Sequence, residues 1–154
     1  MRDYDLDYLR KAIETARLAR EHGNHPFGAV LVNGQGRMLL EAENTVITEH
    51  DCTGHAETNL MRKASIRFST GALADCTLYT STEPCAMCSG AIFWGGINRV
   101  VFGLSEADLF ELTSGPNYFK LPCREVFFRS GRSIEVLGPL LVDEARMVHQ
   151  GFWK

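Results

Sequence analysis

The sequence predicts an α/β protein, a three-layer α/β/α sandwich in which one mixed five-stranded sheet lies between two layers of helices. Three observations carry that expectation. Apolar residues recur at helical spacing in the opening segment, an Asn-Gly pair divides two apolar runs, and from residue 53 onward helical segments alternate with short β-rich ones. That alternation builds parallel strands with crossover helices. At 154 residues the chain fits one domain, taken as 1–154, with no repeat, linker or low-complexity segment to divide it.

The first helix is expected from about residue 6 to 22. Leu6, Leu9, Ile13 and Ala16 form its stripe, Arg10, Lys11, Arg17, Arg20 and Glu21 lie on other faces, and Gly23 offers the stop. In FGAVLVNGQGRMLLEAEN, residues 27–44, Asn33-Gly34 predicts a hairpin turn between antiparallel strands. A second helix follows from about Thr53 to Phe68, and CTLYTST at 76–82 reads as a buried strand. Pro84 suits the first position of the next helix, where its missing N–H costs nothing, and Gly95-Gly96 ends that helix after Trp94. NRVVFGL is another strand. Between Ser105 and Phe128 the pattern weakens, with TSGPNYF a loop; SIEVLGPL predicts the last strand and LVDEARMVHQGFW a closing helix.

Composition narrows the function classes. Lys and Arg total 16 against 19 Asp and Glu, a formal charge of -3, and no basic run occurs, so a nucleic-acid partner is disfavoured. No stretch of about 18 apolar residues follows the acidic start MRDYDLDYLR, so a cytoplasmic protein with no membrane partner is expected. Five cysteines form an odd set with two of them three apart, which points to metal or thiol chemistry before disulfides. Cys52, Cys76 and Cys123 are expected as small buried hydrophobes.

The chemistry concentrates in two segments, TGHAETNLMRKA (53–64) and TEPCAMCSGAIFW (82–94). Cys85 and Cys88 at i and i+3 can bite one metal ion, and His55 supplies an imidazole nitrogen, a donor set that suits Zn²⁺. Both segments begin helices, whose N–H groups favour thiolate. His55 and Glu57 would stand about 200° apart within a continuous helix. They can share a site only if the helix end itself faces the metal, His55 binding it while Glu57 handles a proton beside it. Three ligands leave a tetrahedral position for water, whose pKa catalytic zinc brings from about 15.7 to about 7. The reaction that follows is hydrolytic removal of an amino group from an amidine-like carbon. The competing structural reading is a closed zinc site whose fourth ligand comes from Cys52, Cys76, Cys123, His22, His25, His50 or His149; it leaves Glu57 without a role.

H-A-E at 55–57 followed by P-C-A-M-C at 84–88 resembles the zinc-dependent cytidine deaminase-like superfamily. HDCTGHAE, PFGAVLV and GAIFWGGINRVVFG are similar to segments of its guanine deaminase and tRNA adenosine deaminase branch, so the resemblance covers roughly residues 6 to 104. It implies zinc on His55, Cys85 and Cys88 and a proton shuttle at Glu57. It also implies base recognition by Asn44 and by the Ala56 backbone N–H, stacking on Phe27, and a homodimer. The end DEARMVHQGFWK lacks the basic cluster of the tRNA editors. LTSGPNYF is neutral where guanine deaminases carry an acidic pair, for which Glu106 or Asp108 could substitute. The expected function is deamination of a free nucleobase or related heterocycle: guanine, cytosine, s-triazine or pterin. The alternatives are tRNA adenosine deamination and a non-catalytic zinc module. Asn44 could instead cap a turn, Phe27 could be core, and Trp94 is expected as core or at a subunit boundary. Phe152 and Trp153 are candidates for a lid, against a frayed end.

Overall fold

The computed structural model describes residues 1–153. The chain runs α1 (Asp5–Glu21), β1 (Gly28–Val32), β2 (Met38–Glu43), α2 (Val46–Glu49), α3 (Ala56–Arg67), α4 (Thr70–Leu73), β3 (Thr77–Thr82), α5 (Ala86–Gly95), β4 (Arg99–Leu104), α6 (Glu106–Thr113), α7 (Cys123–Arg129), β5 (Glu135–Leu137) and α8 (Val142–Met147). The sheet order is β2-β1-β3-β4-β5. β1 is antiparallel to β2 and to β3, whereas β3, β4 and β5 are parallel, which makes the sheet mixed as expected.

Strand periodicity decides where the core sits. Along β1, Ala29 and Leu31 join one buried cluster while Val30 and Val32 join the other, and Leu78 and Tyr79 divide the same way in β3. Successive side chains point to opposite faces, so both faces of the sheet are buried. One face is covered by α3, α5 and α7 through Leu60, Ile92 and Phe127; the other by α1 and α8 through Leu9, Ile13 and Ala145. α1 lies so close to β1 that a Cβ on Gly28 would meet Ala16 N at 2.4 Å and Ala12 O at 2.6 Å. Only glycine allows that approach.

Several boundaries differ from expectation. The hairpin loop spans residues 33–37 rather than a two-residue Asn-Gly turn, because Asn33 Oδ1 accepts the N–H groups of Gln35 and Arg37 and so organises a wider loop. α3 begins at Ala56, not Thr53, and Pro84 lies outside α5, whose N-cap is Cys85. The α5 terminus matches: Gly96 takes φ 92°, a left-handed cap that glycine adopts without penalty. The weakly patterned stretch after Ser105 contains α6 and α7. Ser105 Oγ accepts the Asp108 N–H at 3.1 Å, so S-E-A-D was a readable N-cap signal. The last strand and closing helix are shorter than SIEVLGPL and LVDEARMVHQGFW suggest. Cys76 and Cys123 are buried as expected, but Cys52 is exposed, since it falls in the turn before α3. Trp94 is 80% exposed and so not core.

Candidate active site

The site forms at the C-terminal ends of β3 and β4, where open α/β sheets place ligands. His55 is the N-cap of α3 with extended backbone (φ -70°, ψ 149°), so it is not on the helix at all. That removes the angular conflict with Glu57, which belongs to the first turn. Gly54 makes the approach possible: a Cβ there would lie 2.8 Å from Thr45 Oγ1. Asn59 secures the same corner, its Nδ2 donating to Glu43 O and Thr45 Oγ1, both at 2.9 Å.

Cys85 caps α5 and Cys88 lies one turn on, buried. His55 Nδ1 stands 3.5 Å from each sulfur, and the three ligand atoms lie within 4.8 Å of one another. Zn–S bonds of about 2.3 Å and a Zn–N bond of about 2.0–2.1 Å at a tetrahedral angle require N···S separations of about 3.5 Å. The residues therefore fit zinc by distance as well as by donor type. A hydrogen bond shared with Cys88, then one with His55, draws the Cys85 thiol from its ordinary 9.0 to about 4 despite burial. Cys88, hydrogen-bonded to Cys85 and deeply buried, is pushed up. Thr58 Oγ1 lies 3.3 Å from Cys88 Sγ.

Glu57 is 5% exposed. Its Oε1 meets Thr80 Oγ1 at 2.6 Å and its Oε2 lies 3.3 Å from Cys88 Sγ. Burial raises its pKa, partly opposed by the Thr80 hydrogen bond. The Thr80 hydroxyl is also 2.9 Å from Thr82 O. With one hydrogen, it can donate to an ionised Glu57, or turn to Thr82 O and accept from a protonated Glu57.

These groups face a pocket of about 160 Å³. Phe27, Leu109 and Phe110 form its apolar walls; Thr82, Glu83 and Glu106 add polar groups beside His55, Glu57 and Cys85. Of the predicted recognition residues Phe27 lines this pocket, whereas Asn44 and Ala56 do not. Asn44 is buried and its Oδ1 accepts the Val46 N–H at 3.1 Å, the turn-capping use that asparagine also allowed. Ala56 is fully buried as the first residue of α3. The two candidate acids separate. Glu106 lines the pocket, 7% exposed, and burial followed by repulsion from Glu83 pushes it up to about 8. Asp108 Oδ2 instead bonds Ser105 Oγ at 2.9 Å in the α6 cap. Sequence reasoning missed Thr80 and Glu83, and Phe110; Glu83, beside Pro84, was the most accessible of these because a carboxylate next to a metal-binding cysteine needs an explanation.

The C-terminal segment is docked rather than frayed. Trp153 Nε1 donates to His149 Nδ1 at 3.0 Å, and the rings of His149 and Trp153 lie 5.4 and 6.2 Å from Phe27. Trp153 backs the Phe27 wall and Phe152 packs on Trp153 and His25; neither lines the pocket. A larger groove of about 530 Å³ between α7 and β5 is lined by Arg124, Phe128 and Arg132 and by no acid, thiol or imidazole.

A sequence profile described as the cytidine and deoxycytidylate deaminase zinc-binding region matches residues 2–104. The chain belongs to that family. It is 47% identical over 154 residues to a probable cytosine deaminase of Schizosaccharomyces pombe, covering 97% of this chain and 92% of that one. It is 32% identical over 142 residues to a tRNA-specific adenosine deaminase of Haemophilus influenzae, covering 92% and 79%. In fold it is similar to a guanine deaminase from Nitrosomonas europaea, with a TM-score of 0.78 at 24% identity, covering 93% and 81%. The chain thus carries a zinc-binding deaminase domain of cytidine deaminase-like fold, and no helix among the described residues is long and apolar enough to cross a membrane.

Proposed function

We propose that residues 1–154 form one zinc deaminase domain that removes the exocyclic amino group of a free single-ring base of the cytosine type. The observation that carries this reading is the pocket: about 160 Å³, against about 300 Å³ or more for sites that hold drug-sized ligands, with the nitrogen, both sulfurs and an unligated carboxyl gathered beside it. The relative that is a probable cytosine deaminase supports the same choice. Guanine and a pterin carry the same amino-carbon-nitrogen unit but add a fused second ring; an s-triazine, a single ring with that unit, is the nearer competitor. A tRNA substrate is opposed by the charge of -3.

His55, Cys85 and Cys88 would hold the zinc, which supplies a hydroxide-strength nucleophile from water near neutral pH. Glu57 takes one proton from water and gives it to the ring nitrogen beside the amino carbon, then takes the second, from the new hydroxyl on that carbon, and gives it to the departing amine. The C–N bond breaks, ammonia leaves and a carbonyl remains. Thr80 satisfies Glu57 in both of its protonation states, through the two acceptors of its hydroxyl. Phe27 and Phe110 offer the ring apolar walls, Phe27 as its stacking partner, and exclude water. Asn44, with Oδ1 engaged by Val46, and Ala56 lie outside the pocket lining, so of the expected recognition residues Phe27 alone is assigned to the base.

A homodimer in the cytoplasm belongs to the same reading. α5, AMCSGAIFWG, carries no charge, yet Met87 is 37% and Trp94 80% exposed on it, and a helix apolar all round belongs in an interior. Ile66 on α3 and Phe128 on α7 extend the exposed apolar surface over the neighbouring helices. Five free cysteines suit a reducing compartment. The test is ammonia release from cytosine, guanine, ammeline, an aminopterin and an adenosine-containing tRNA anticodon arm. Cytosine is expected to give the highest kcat/KM; turnover of the RNA alone would overturn the reading. Sedimentation of Trp94→Glu against wild type tests the dimer, with a monomer expected for the variant.

A further inference from the structure

Glu83 lines the pocket between Thr82 and the Pro84-Cys85 turn, yet its carboxylate turns away from the cavity to the backbone of two helices. Oε2 accepts the Glu106 N–H and Oε1 accepts the Cys123 N–H, both at 3.0 Å. Glu106 and Cys123 are the first residues of α6 and α7. The first N–H groups of a helix have no partner inside it, and a negative charge at that end is favoured by the helix dipole. One buried carboxylate therefore closes two helix starts at once.

What those helices carry makes this more than a cap. Glu106, Leu109 and Phe110 of the pocket wall all belong to α6, which makes only sparse contact with the other helices and strands. Its inner face packs Leu109 and Leu112 into the core, and its first residue, where it follows β4, meets Glu83. Cys85, two residues beyond Glu83, is at the metal centre. We propose that Glu83 is a positioning residue, clasping α6 and α7 to the cysteine turn and so fixing the distance between the substrate wall and the His55-Cys85-Cys88 centre. Its influence on substrate rests on the reading of this pocket as the base-binding site; the clasp itself does not.

Glu83→Gln keeps the shape but replaces one acceptor oxygen by an NH₂ group that confronts a backbone N–H. The wall is loosened while Glu57 and the ligands stay in place, so binding suffers more than chemistry. KM for cytosine is expected to rise about tenfold with kcat within about threefold and zinc content unchanged. Amide hydrogen exchange at Glu106 and Cys123 should quicken by about tenfold while β3 and β4 keep their protection. Glu83→Asp, which keeps the charge but shortens the reach, should fall between the two proteins in both readouts. Wild-type exchange at those two amides, an unchanged KM, or a fall in kcat or zinc with KM constant overturns the proposal. So does loss of protection throughout the sheet, which would make Glu83 a residue of general stability. If wild type fails to deaminate cytosine, the substrate assignment falls and the exchange measurement still decides the clasp.

Discussion

Asp5 and Glu57 are buried carboxyls at opposite ends of the parallel strands β3 and β4, 0% and 5% exposed, and their surroundings differ in kind. At the N-terminal end Asp5 accepts from Arg99 Nη1 at 2.8 Å and Nη2 at 2.7 Å, from Tyr79 Oη at 2.6 Å and from the Arg2 N–H at 2.6 Å. Burial alone would raise its pKa; the Arg99, Tyr79 and Arg2 bonds outweigh it and bring the group from 3.8 to about 2. At the C-terminal end Glu57 is bonded, among the described residues, to one hydroxyl and one thiol; burial raises its pKa, and the Thr80 bond and the nearby His55 imidazole only partly oppose it. One end of the sheet completes its electrostatics within the fold. The other keeps a buried carboxyl with little to offset its burial, the surroundings that the proton shuttle proposed for Glu57 would use.

The largest test of that contrast is Cys88→Ala. Metal content by atomic absorption should fall to background, and ammonia release with it, while the Asp5 end holds the sheet together. Next is Glu57→Gln, expected to retain zinc and unfolding midpoint while turnover drops by about 10²–10⁴. Loss of metal together with unfolding would place Glu57 with Asp5 as a structural acid. Asp5→Ala reverses the pattern. It leaves Arg99 buried without its main partner and should cost about 3–5 kcal/mol in denaturant unfolding, with activity per folded molecule intact. Because the Asp5 pKa is lowered on folding, its contribution is fully present above pH 3.8 and is lost as pH falls toward about 2. Wild type and Asp5→Asn should therefore converge in stability by about 2 kcal/mol across that window. The smallest effect is expected from Thr80→Val, which removes the hydroxyl serving Glu57. kcat should fall about tenfold with zinc retained, and an unchanged kcat would show that Glu57 needs no support from β3.

Local pattern carried far through residue 104 and less far beyond it. Helical stripes, the Asn33-Gly34 signal and the β-rich runs located α1, the hairpin, β3, α5 and β4, because each has enough residues for its periodicity to show. β5, three residues long, falls within SIEVLGPL as expected, but α6 and α7, eight and seven residues long, fall where no element was placed. Elements that short are specified by what they meet, as Glu83 meets the starts of both helices, and a sequence window does not contain the partner. The exposed Cys52 was misplaced for the same reason, and Trp94 stood open between core and subunit boundary, since composition says a residue is apolar and only packing says which surface covers it.

The sequence by itself determined the donor set and its chemistry: a histidine, two cysteines at helical spacing and a glutamate beside the histidine suffice to imply zinc and proton transfer, because ligand type and spacing are local properties. The tertiary structure alone decided that His55 caps its helix from outside, that Glu57 is buried against Thr80 and Cys88, that Asn44 uses its oxygen on a turn and that Glu106 faces the pocket. Those outcomes depend on which chain segments meet across the ends of β3 and β4, and the free energy of such meetings belongs to pairs of residues far apart in sequence.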